Sequence, residues 1–175
     1  MKTLTLLRHA KSGWDDPVSR DFDRPLNPRG RRAARTVAAE MRRLELGFDR
    51  VLASPARRVI ETLAEVAQVF GPVDPVYEPC VYLAAPETLL DLVRQTDDGV
   101  QRLLLVGHNP GVESLVLKLA GPGALRDLVA EKYPTATLAE IALPAERWAD
   151  LDEGTGELRR LIRPRDLDPE LGPED

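Results

Sequence analysis

The run RLLLVG at 102–107 is the feature that most constrains the fold, because it is short and continuously apolar. A strand with one face in water alternates apolar and polar residues, whereas a strand covered on both faces does not. Strands of the second kind belong to parallel sheets that carry helices on both sides. The run therefore predicts an α/β fold with a covered central sheet.

Further strands and helices alternate along the chain. Strands are predicted at 2–7 (KTLTLL), 50–53 (RVLA), 135–143 and 157–162, the last two on either side of a short helix near Trp148. Helices are predicted from Gly30 to Leu46, from Ser54-Pro55 to about Phe70 with Ser54 as the N-cap, from Pro86 onward, and from Asn109-Pro110 to Gly121. This alternation predicts a three-layer α/β/α sandwich with a mostly parallel central sheet.

The length of 175 residues suits one domain, which we place at residues 1–163. The remaining segment, 164–175, is acidic and rich in proline, and it is predicted to be a flexible tail. Cys80 is the only cysteine, which excludes a disulfide within the chain.

Charge and hydropathy bear on location and partners. A net charge of −5 argues against a general binder of nucleic acid or of membrane surfaces. No apolar stretch reaches the length of a membrane span, and Arg8 and His9 interrupt the apolar run at the N-terminus. We therefore expect neither a membrane segment nor a signal peptide, and a cytoplasmic location.

The two histidines of the chain occupy equivalent places in the predicted fold. His9 directly follows the first strand and stands beside Arg8, while His108 directly follows the strand at 102–107. Ligand sites in open α/β sheets lie beyond the carboxyl ends of the strands. A lone histidine is more often structural, but two histidines at such positions predict one shared site.

A third strand end adds arginines to the same region. The strand at 50–53 leads into SPARR, which places Arg57 and Arg58 in the first turn of a helix. A cation at that end opposes the helix dipole, unless an anion lies nearby. The planar guanidinium group suits phosphate oxygens, so the arrangement indicates an anion site.

Three segments together resemble the histidine phosphatase (phosphoglycerate-mutase-like) superfamily. RHAKSGWD at 8–15 resembles its RHG-type signature, with alanine at position 10 where glycine is common. SPARRVIET at 54–62 resembles its S-x-x-x-R-A-x-x-T segment, which selects Arg58 rather than Arg57, and VGHNPG at 106–111 resembles the segment around its second histidine. In chain length and in the segments RHAKS and DRPLNPRG, the sequence most resembles the SixA-type phosphohistidine phosphatases.

The resemblance implies a role for each of these residues. His9 would attack phosphorus as the neutral imidazole and carry a covalent phosphoryl group. Arg8, Arg58 and His108 would surround the phosphoryl oxygens. Ser12 and Asn109 are predicted to border the phosphate, together with the RPLNPRG loop.

The proton donor for the leaving group is less defined by the sequence. Larger members of the superfamily use a carboxylate from the segment between the arginine motif and the second histidine, and this segment is short here. Glu78 is the candidate that we favour as general acid, with Asp15 and Asp21 as alternatives.

Several functions remain open at this point. The main hypothesis is a metal-independent phosphatase without cofactor that acts on phosphohistidine in proteins. A phosphatase for small esters, such as a sugar phosphate or a nucleotide, would use the same site, and a non-catalytic phosphate-binding module would not need the nucleophile. A mutase is disfavoured because the chain lacks the length for a closing lid. The sequence contains neither a P-loop nor a G-x-S-x-G elbow, and no cluster with zinc spacing.

Overall fold

The computed structural model describes residues 1–13 and 20–172. Its strands are β1 (Lys2–Arg8), β2 (Arg50–Ala53), β3 (Pro75–Tyr77), β4 (Arg102–Gly107), β5 (Leu138–Leu143) and β6 (Glu157–Ile162). They form one six-stranded sheet in the order β3-β2-β4-β1-β5-β6. The strands β3, β2, β4 and β1 run parallel, and β5 is antiparallel to both of its neighbours. The prediction of a mostly parallel sheet is confirmed.

Helices cover both faces of this sheet. On one face lie α1 (Pro28–Arg43) and α2 (Arg57–Phe70), with α6 (Pro164–Leu167) packed on α1. On the other face lie α3 (Pro86–Arg94), α4 (Gly111–Leu119) and α5 (Ala124–Glu131). The predicted three layers are therefore present.

Strand β4 shows why its sequence is apolar throughout. Leu103 and Leu105 pack in the core beneath α3 and α4, whereas Leu104 and Val106 pack in the core beneath α1 and α2. All four side chains are fully buried. Since each face of the strand meets a helical layer, neither can carry a polar residue without a partner.

The parallel register brings three strand ends to one edge of the sheet. Arg8 of β1 pairs with Gly107 of β4, and Ala53 of β2 pairs with Val106. The backbone N–H of His9 donates to the carbonyl of Gly107 at 3.1 Å, and that of Ser54 donates to Val106 at 3.1 Å. The residues that follow these strands consequently meet, as the sequence predicts.

Some element boundaries differ from the predicted ones. Helix α1 begins at Pro28 rather than Gly30, because Asn27 caps it by accepting from the N–H of Gly30 at 2.7 Å. Helix α2 begins at Arg57, and its N-cap is Ala56 rather than Ser54. The short strand β3 and helix α5 were not predicted from the sequence; neither is long enough for a clear periodic pattern.

The C-terminal segment, predicted to be a flexible tail, is described by the structure as far as residue 172. Residues Pro164–Leu167 form α6, Pro169–Leu171 form a 3₁₀ turn, and Leu171 is buried in the core beneath α1. Arg32 of α1 pairs with Asp168 at 2.5 Å. We propose that the packed part of the domain extends to Leu171.

Candidate active site

A cleft of about 370 Å³ opens at the carboxyl edge of the sheet. It is lined by Arg8, His9, Lys11, Ser12, Asp21, Arg24, Arg58, Leu83, His108, Asn109 and Thr135. Within the described part of the chain this lining holds four basic side chains and a single carboxylate. Such a charge balance suits an anionic ligand.

His9 is held with one ring nitrogen directed into the cleft. Its Nδ1 lies 2.7 Å from the carbonyl oxygen of Ala10, which only accepts, so Nδ1 carries the proton. Its Nε2 accepts from the Nε–H of Arg58 at 3.3 Å and therefore carries the lone pair. The ring of His9 is thus fixed in the tautomer that a nucleophilic Nε2 requires.

Burial is the main cause that lowers the pKa of His9 well below its ordinary value. The hydrogen bond to Ala10 opposes this shift, while the charges of Arg58 and Arg8 reinforce it. The imidazole is consequently neutral over the physiological range. A neutral ring is the form that can attack phosphorus.

Helix α2 positions Arg58 between the two histidines. The guanidinium group is almost fully buried, and besides His9 it contacts Nδ1 of His108, with 3.2 Å between Arg58 Nη2 and that nitrogen. Thr62, one turn later, donates to the carbonyl of Arg58 at 2.6 Å and accepts from the N–H of Ala10 at 2.9 Å. Thr62 therefore ties the helix to the loop that carries His9.

Arg57 is not among the residues that line the cleft. Its Nε lies 2.8 Å from a carboxylate oxygen of Glu61 one turn along α2, and its side chain is 52% exposed. The two neighbouring arginines are separated because consecutive residues on a helix point about 100° apart. Of the two arginines, Arg58 therefore lines the cleft and Arg57 does not.

His108 is buried opposite His9, with 5.2 Å between the ring centroids. Its Nε2 lies 2.7 Å from Oγ of Ser54, and the ring of Tyr82 meets it edge-on at 5.4 Å. Burial, reinforced by the charge of Arg58, lowers the pKa of His108 to about 3. Both histidines are therefore neutral in the unliganded protein.

Asp21 closes the cleft from a 3₁₀ turn at Asp21–Asp23. Its carboxylate accepts from Arg58 Nη2 at 3.2 Å, from Arg24 Nε at 3.1 Å and from the hydroxyl of Tyr82. Burial alone would raise the pKa of Asp21, but the hydrogen bond from Tyr82 and the charge of Arg58 outweigh it and lower the pKa to about 2. Asp21 is therefore ionised. It forms an ion pair with the guanidinium group of Arg58, which also lines the cleft.

The remaining predicted residues also border the cleft. Arg8 Nη1 and Asn109 Nδ2 both donate to the carbonyl of Tyr133 at 3.0 Å, which holds the two side chains side by side. Ser12 Oγ accepts from Arg24 Nη1 at 2.6 Å. The structure thus brings Arg8, Ser12 and Asn109 together with both histidines.

The three candidates for a general acid lie in different places. Glu78 follows β3 and is half-buried, but it is not among the residues that line the cleft. Asp21 lines the cleft as an ion-paired carboxylate. Asp15 lies outside the described residues.

Tyr82 and Ser54 are among the residues of the site that sequence reasoning missed. Tyr82 contacts Asp21 and His108 although it follows no strand, and nothing in its local sequence signals this role. Ser54 was predicted as a helix cap, yet its hydroxyl lies against His108. The only available signal was its place in the SPARRVIET segment.

Residues 1–13 and 20–172 contain no group of three or more His, Cys, Asp or Glu side chains that could hold a metal ion. Over the same residues, no helix has the length and apolar character needed to cross a membrane.

Several known proteins are similar to this chain in sequence or in structure. The family model of the histidine phosphatase superfamily (branch 1) matches residues 4–81. An uncharacterized protein of Mycobacterium tuberculosis is 36% identical over 163 residues, which span 91% of this chain and all of that protein. The phosphohistidine phosphatase SixA of Escherichia coli is 28% identical over 143 residues, spanning 79% of this chain and 83% of that protein.

A solved structure agrees with these sequence matches. A crystal structure from Agrobacterium tumefaciens, provisionally named phosphohistidine phosphatase SixA, superposes with a TM-score of 0.78 at 32% identity. The match covers 92% of this chain and 97% of that one. With the two histidines and Arg58 in one cleft, the chain belongs to the histidine phosphatase superfamily.

Proposed function

We propose that the protein is a metal-independent phosphatase that hydrolyses phosphohistidine in other proteins through a covalent phosphohistidine on His9. Membership of the superfamily supports phosphatase activity. The single observation that carries the proposal is the state of His9: Nδ1 is bonded to Ala10, and Nε2 faces Arg58 with its lone pair.

In the first step, Nε2 of His9 attacks the phosphorus atom of the substrate. The bond from Nε2 to phosphorus forms as the bond from phosphorus to the substrate nitrogen breaks. The substrate ring, protonated on its other nitrogen, keeps the electron pair and leaves as neutral imidazole. Arg8, Arg58 and His108 stabilise the charge on the phosphoryl oxygens during this transfer.

In the second step, a water molecule attacks the phosphoryl group on His9. The bond from phosphorus to Nε2 breaks, inorganic phosphate leaves with the oxygen of the water, and its proton passes to phosphate or solvent. His9 recovers its neutral ring, with the proton still on Nδ1 toward Ala10. The chain is then ready for another turnover.

The electrostatics of the cleft favour phosphohistidine over an alkyl ester. An alkoxide leaving group needs a proton donor, because the pKa of an alcohol is far above 7, whereas an imidazole leaving group, with a conjugate-acid pKa of about 6.5, does not. The only carboxyl group in the described cleft lining, Asp21, is ionised and hydrogen-bonded to Arg58. The name of the similar protein SixA of Escherichia coli points to the same substrate class.

The covalent intermediate provides the first test. His9→Ala should abolish turnover of phosphohistidine protein and of p-nitrophenyl phosphate, because it removes the Nε2 that attacks phosphorus. Rapid acid-free quenching of the wild-type reaction should trap a phosphoenzyme that is stable in base and labile in acid. Peptide mapping that finds the label on serine or aspartate would refute the assignment.

The absence of a metal requirement needs a separate measurement. Activity should be unchanged after incubation with a strong chelator, and vanadate, which adopts a five-coordinate geometry, should inhibit competitively. Activity that is lost on chelation and restored by a divalent cation would contradict metal independence.

Substrate choice is tested by comparing kcat/KM across leaving groups. We expect kcat/KM for a phosphohistidine-bearing protein to exceed that for every alkyl phosphate in a metabolite panel. Glu78→Gln should leave both rates unchanged, because Glu78 does not line the cleft; a loss confined to ester hydrolysis would instead identify Glu78 as the acid. A metabolite ester turned over faster than all phosphohistidine substrates would identify a small-molecule phosphatase.

A further inference from the structure

Ser54 is a buried polar residue in contact with a histidine of the site. It follows β2 and is fully buried, and it is not among the residues that line the cleft. Its Oγ accepts from the N–H of Ala56 at 3.2 Å and lies 2.7 Å from Nε2 of His108. Ser54 therefore contacts His108 on the side of the ring away from the cleft.

The contacts of His108 define where its proton lies. Arg58 can only donate, so Nδ1 of His108, at 3.2 Å from Arg58 Nη2, must accept. A neutral imidazole has one proton, which is then on Nε2 and is donated to Oγ of Ser54. In the unliganded protein, the lone pair of His108 faces the cleft.

A phosphoryl group in the cleft would favour the other tautomer of His108, with the proton on Nδ1. Its oxygens are acceptors, and they would take the N–H of Arg58 and repel the lone pair on Nδ1. A proton on Nδ1 removes the repulsion, but it leaves Nε2 as a buried acceptor that needs a donor. A hydroxyl group can be that donor, because it can accept in one state and donate in the other.

We propose that Ser54 is a positioning residue that lets His108 exchange its tautomer, accepting from Nε2–H in the free protein and donating to Nε2 when Nδ1–H faces a phosphoryl oxygen. The inference rests on the proposed function, since it assumes that a phosphoryl group enters the cleft. Ala56 supports the exchange: its N–H occupies one lone pair of Oγ and leaves the hydroxyl proton free to turn. No bond to the substrate changes in this step; the ring proton moves from Nε2 to Nδ1 by exchange with solvent or substrate.

Nitrogen NMR of the ring can test the exchange directly. The chain has only two histidines, so a ¹⁵N-histidine-labelled sample gives two ring systems, which His9→Gln and His108→Gln assign. In the free protein we expect protonated Nδ1 on His9 and protonated Nε2 on His108. With saturating vanadate, the proton of His108 should appear on Nδ1, and its Nε2 should show the shift of an acceptor.

The results of this experiment separate two failures. Vanadate could shift the His9 resonance while His108 keeps its proton on Nε2 or gains a second proton. That result would refute the proposed tautomer exchange and would leave the proposed function intact. If neither ring responds to vanadate at millimolar concentration, the proposed function fails, and the inference fails with it.

Variants of Ser54 provide the kinetic counterpart. Ser54→Ala should lower kcat by about 10- to 100-fold with little change in KM, because a buried nitrogen of His108 loses its partner in both states. Ser114→Ala on α4, which does not line the cleft, is the matched control and should match the wild type. A folded Ser54→Ala protein with wild-type kcat would overturn the proposal; should that variant not fold, the wild-type NMR experiment still decides.

Discussion

His9 and His108 differ from ordinary surface histidines because of what surrounds each ring. Burial removes water from both rings and lowers their pKa values, and Arg58 between them adds a positive charge that disfavours protonation. Asp21 partly compensates Arg58 in the free protein. The site therefore combines neutral ring nitrogens with fixed cations, as the proposed attack of His9 on a phosphoryl dianion requires.

The neighbouring arginines allow a matched mutational test. Arg58→Ala should lower kcat/KM by on the order of 10²–10³, because it removes charge-assisted donors from the transition state. Arg57→Ala should have less than a three-fold effect, because Arg57 pairs with Glu61 on the exposed face of α2. Equal losses in the two variants would contradict this assignment of roles.

The buried histidines should also make stability depend on pH. The unfolded chain binds a proton at His108 near pH 6.5, whereas the folded protein does not until about pH 3. Between these values the unfolded state binds more protons, so the free energy of unfolding falls as the pH falls, by up to about 1.4 kcal/mol per pH unit for this group.

Denaturant titrations between pH 7 and pH 5 measure this dependence. His108→Gln should show a shallower decline of the free energy of unfolding than the wild type, because it lacks this titrating group. Identical slopes would mean that His108 titrates alike in the folded and unfolded states.

At the scale of elements, close backbone contacts set the position of the loop that follows His9. The start of α1 lies against the loop after His9, and a Cβ built on Gly30 would come within 2.0 Å of the carbonyl oxygen of Lys11. The same loop is held by Thr62 of α2 through the N–H of Ala10. Helices α1 and α2 thus determine the position of His9 after β1.

A methyl group at Gly30 tests this packing. Gly30→Ala should destabilise the protein by about 1–3 kcal/mol through overpacking, and it should reduce kcat because the loop of His9 must move. Gly123→Ala is the control, since nothing lies within 4 Å of its built Cβ and its φ of 164° is extended. Calorimetry and steady-state kinetics on both variants give the comparison. Wild-type stability and kcat in Gly30→Ala would show that the loop can shift to accommodate the methyl group at no measurable cost.

At the scale of the whole molecule, the C-terminal segment closes the helical layer that contains α1 and α2. Leu171 is 6% exposed and joins the core on that side of the sheet. Arg32 pairs with Asp168 and Glu170, at 2.5 Å and 2.6 Å. Exposed ion pairs contribute little, so the buried leucine supplies most of the docking energy.

Substitutions at two leucines can test whether the C-terminal segment is packed or flexible. Leu171→Ala should lower the free energy of unfolding by about 2 kcal/mol, since it empties a buried position. Leu167→Ala, at a residue that is 37% exposed, should have a much smaller effect. Activity should persist in both variants, and equal, negligible changes in melting temperature would favour the flexible tail that the sequence alone predicts.

The sequence by itself determined the features that depend on local pattern. Continuous apolar runs predicted buried strands, and the residues directly after them, His9 and His108, followed from the rule that parallel strands deliver their ends to one edge. The choice of Arg58 over Arg57 came from the register of the SPARRVIET segment. These predictions needed only neighbours in the chain and a general property of parallel sheets.

The tertiary structure alone decided which distant side chains meet inside the cleft. Asp21 and Tyr82 reach Arg58 and His108 from segments that carry no periodic signal, and Ser54 turned from a predicted cap into a partner of His108. The burial of Leu171 was also not predicted, because the segment around it is acidic and rich in proline, and such a composition does not indicate a buried leucine. Such contacts depend on how strands and helices align in space, and local sequence does not encode that alignment.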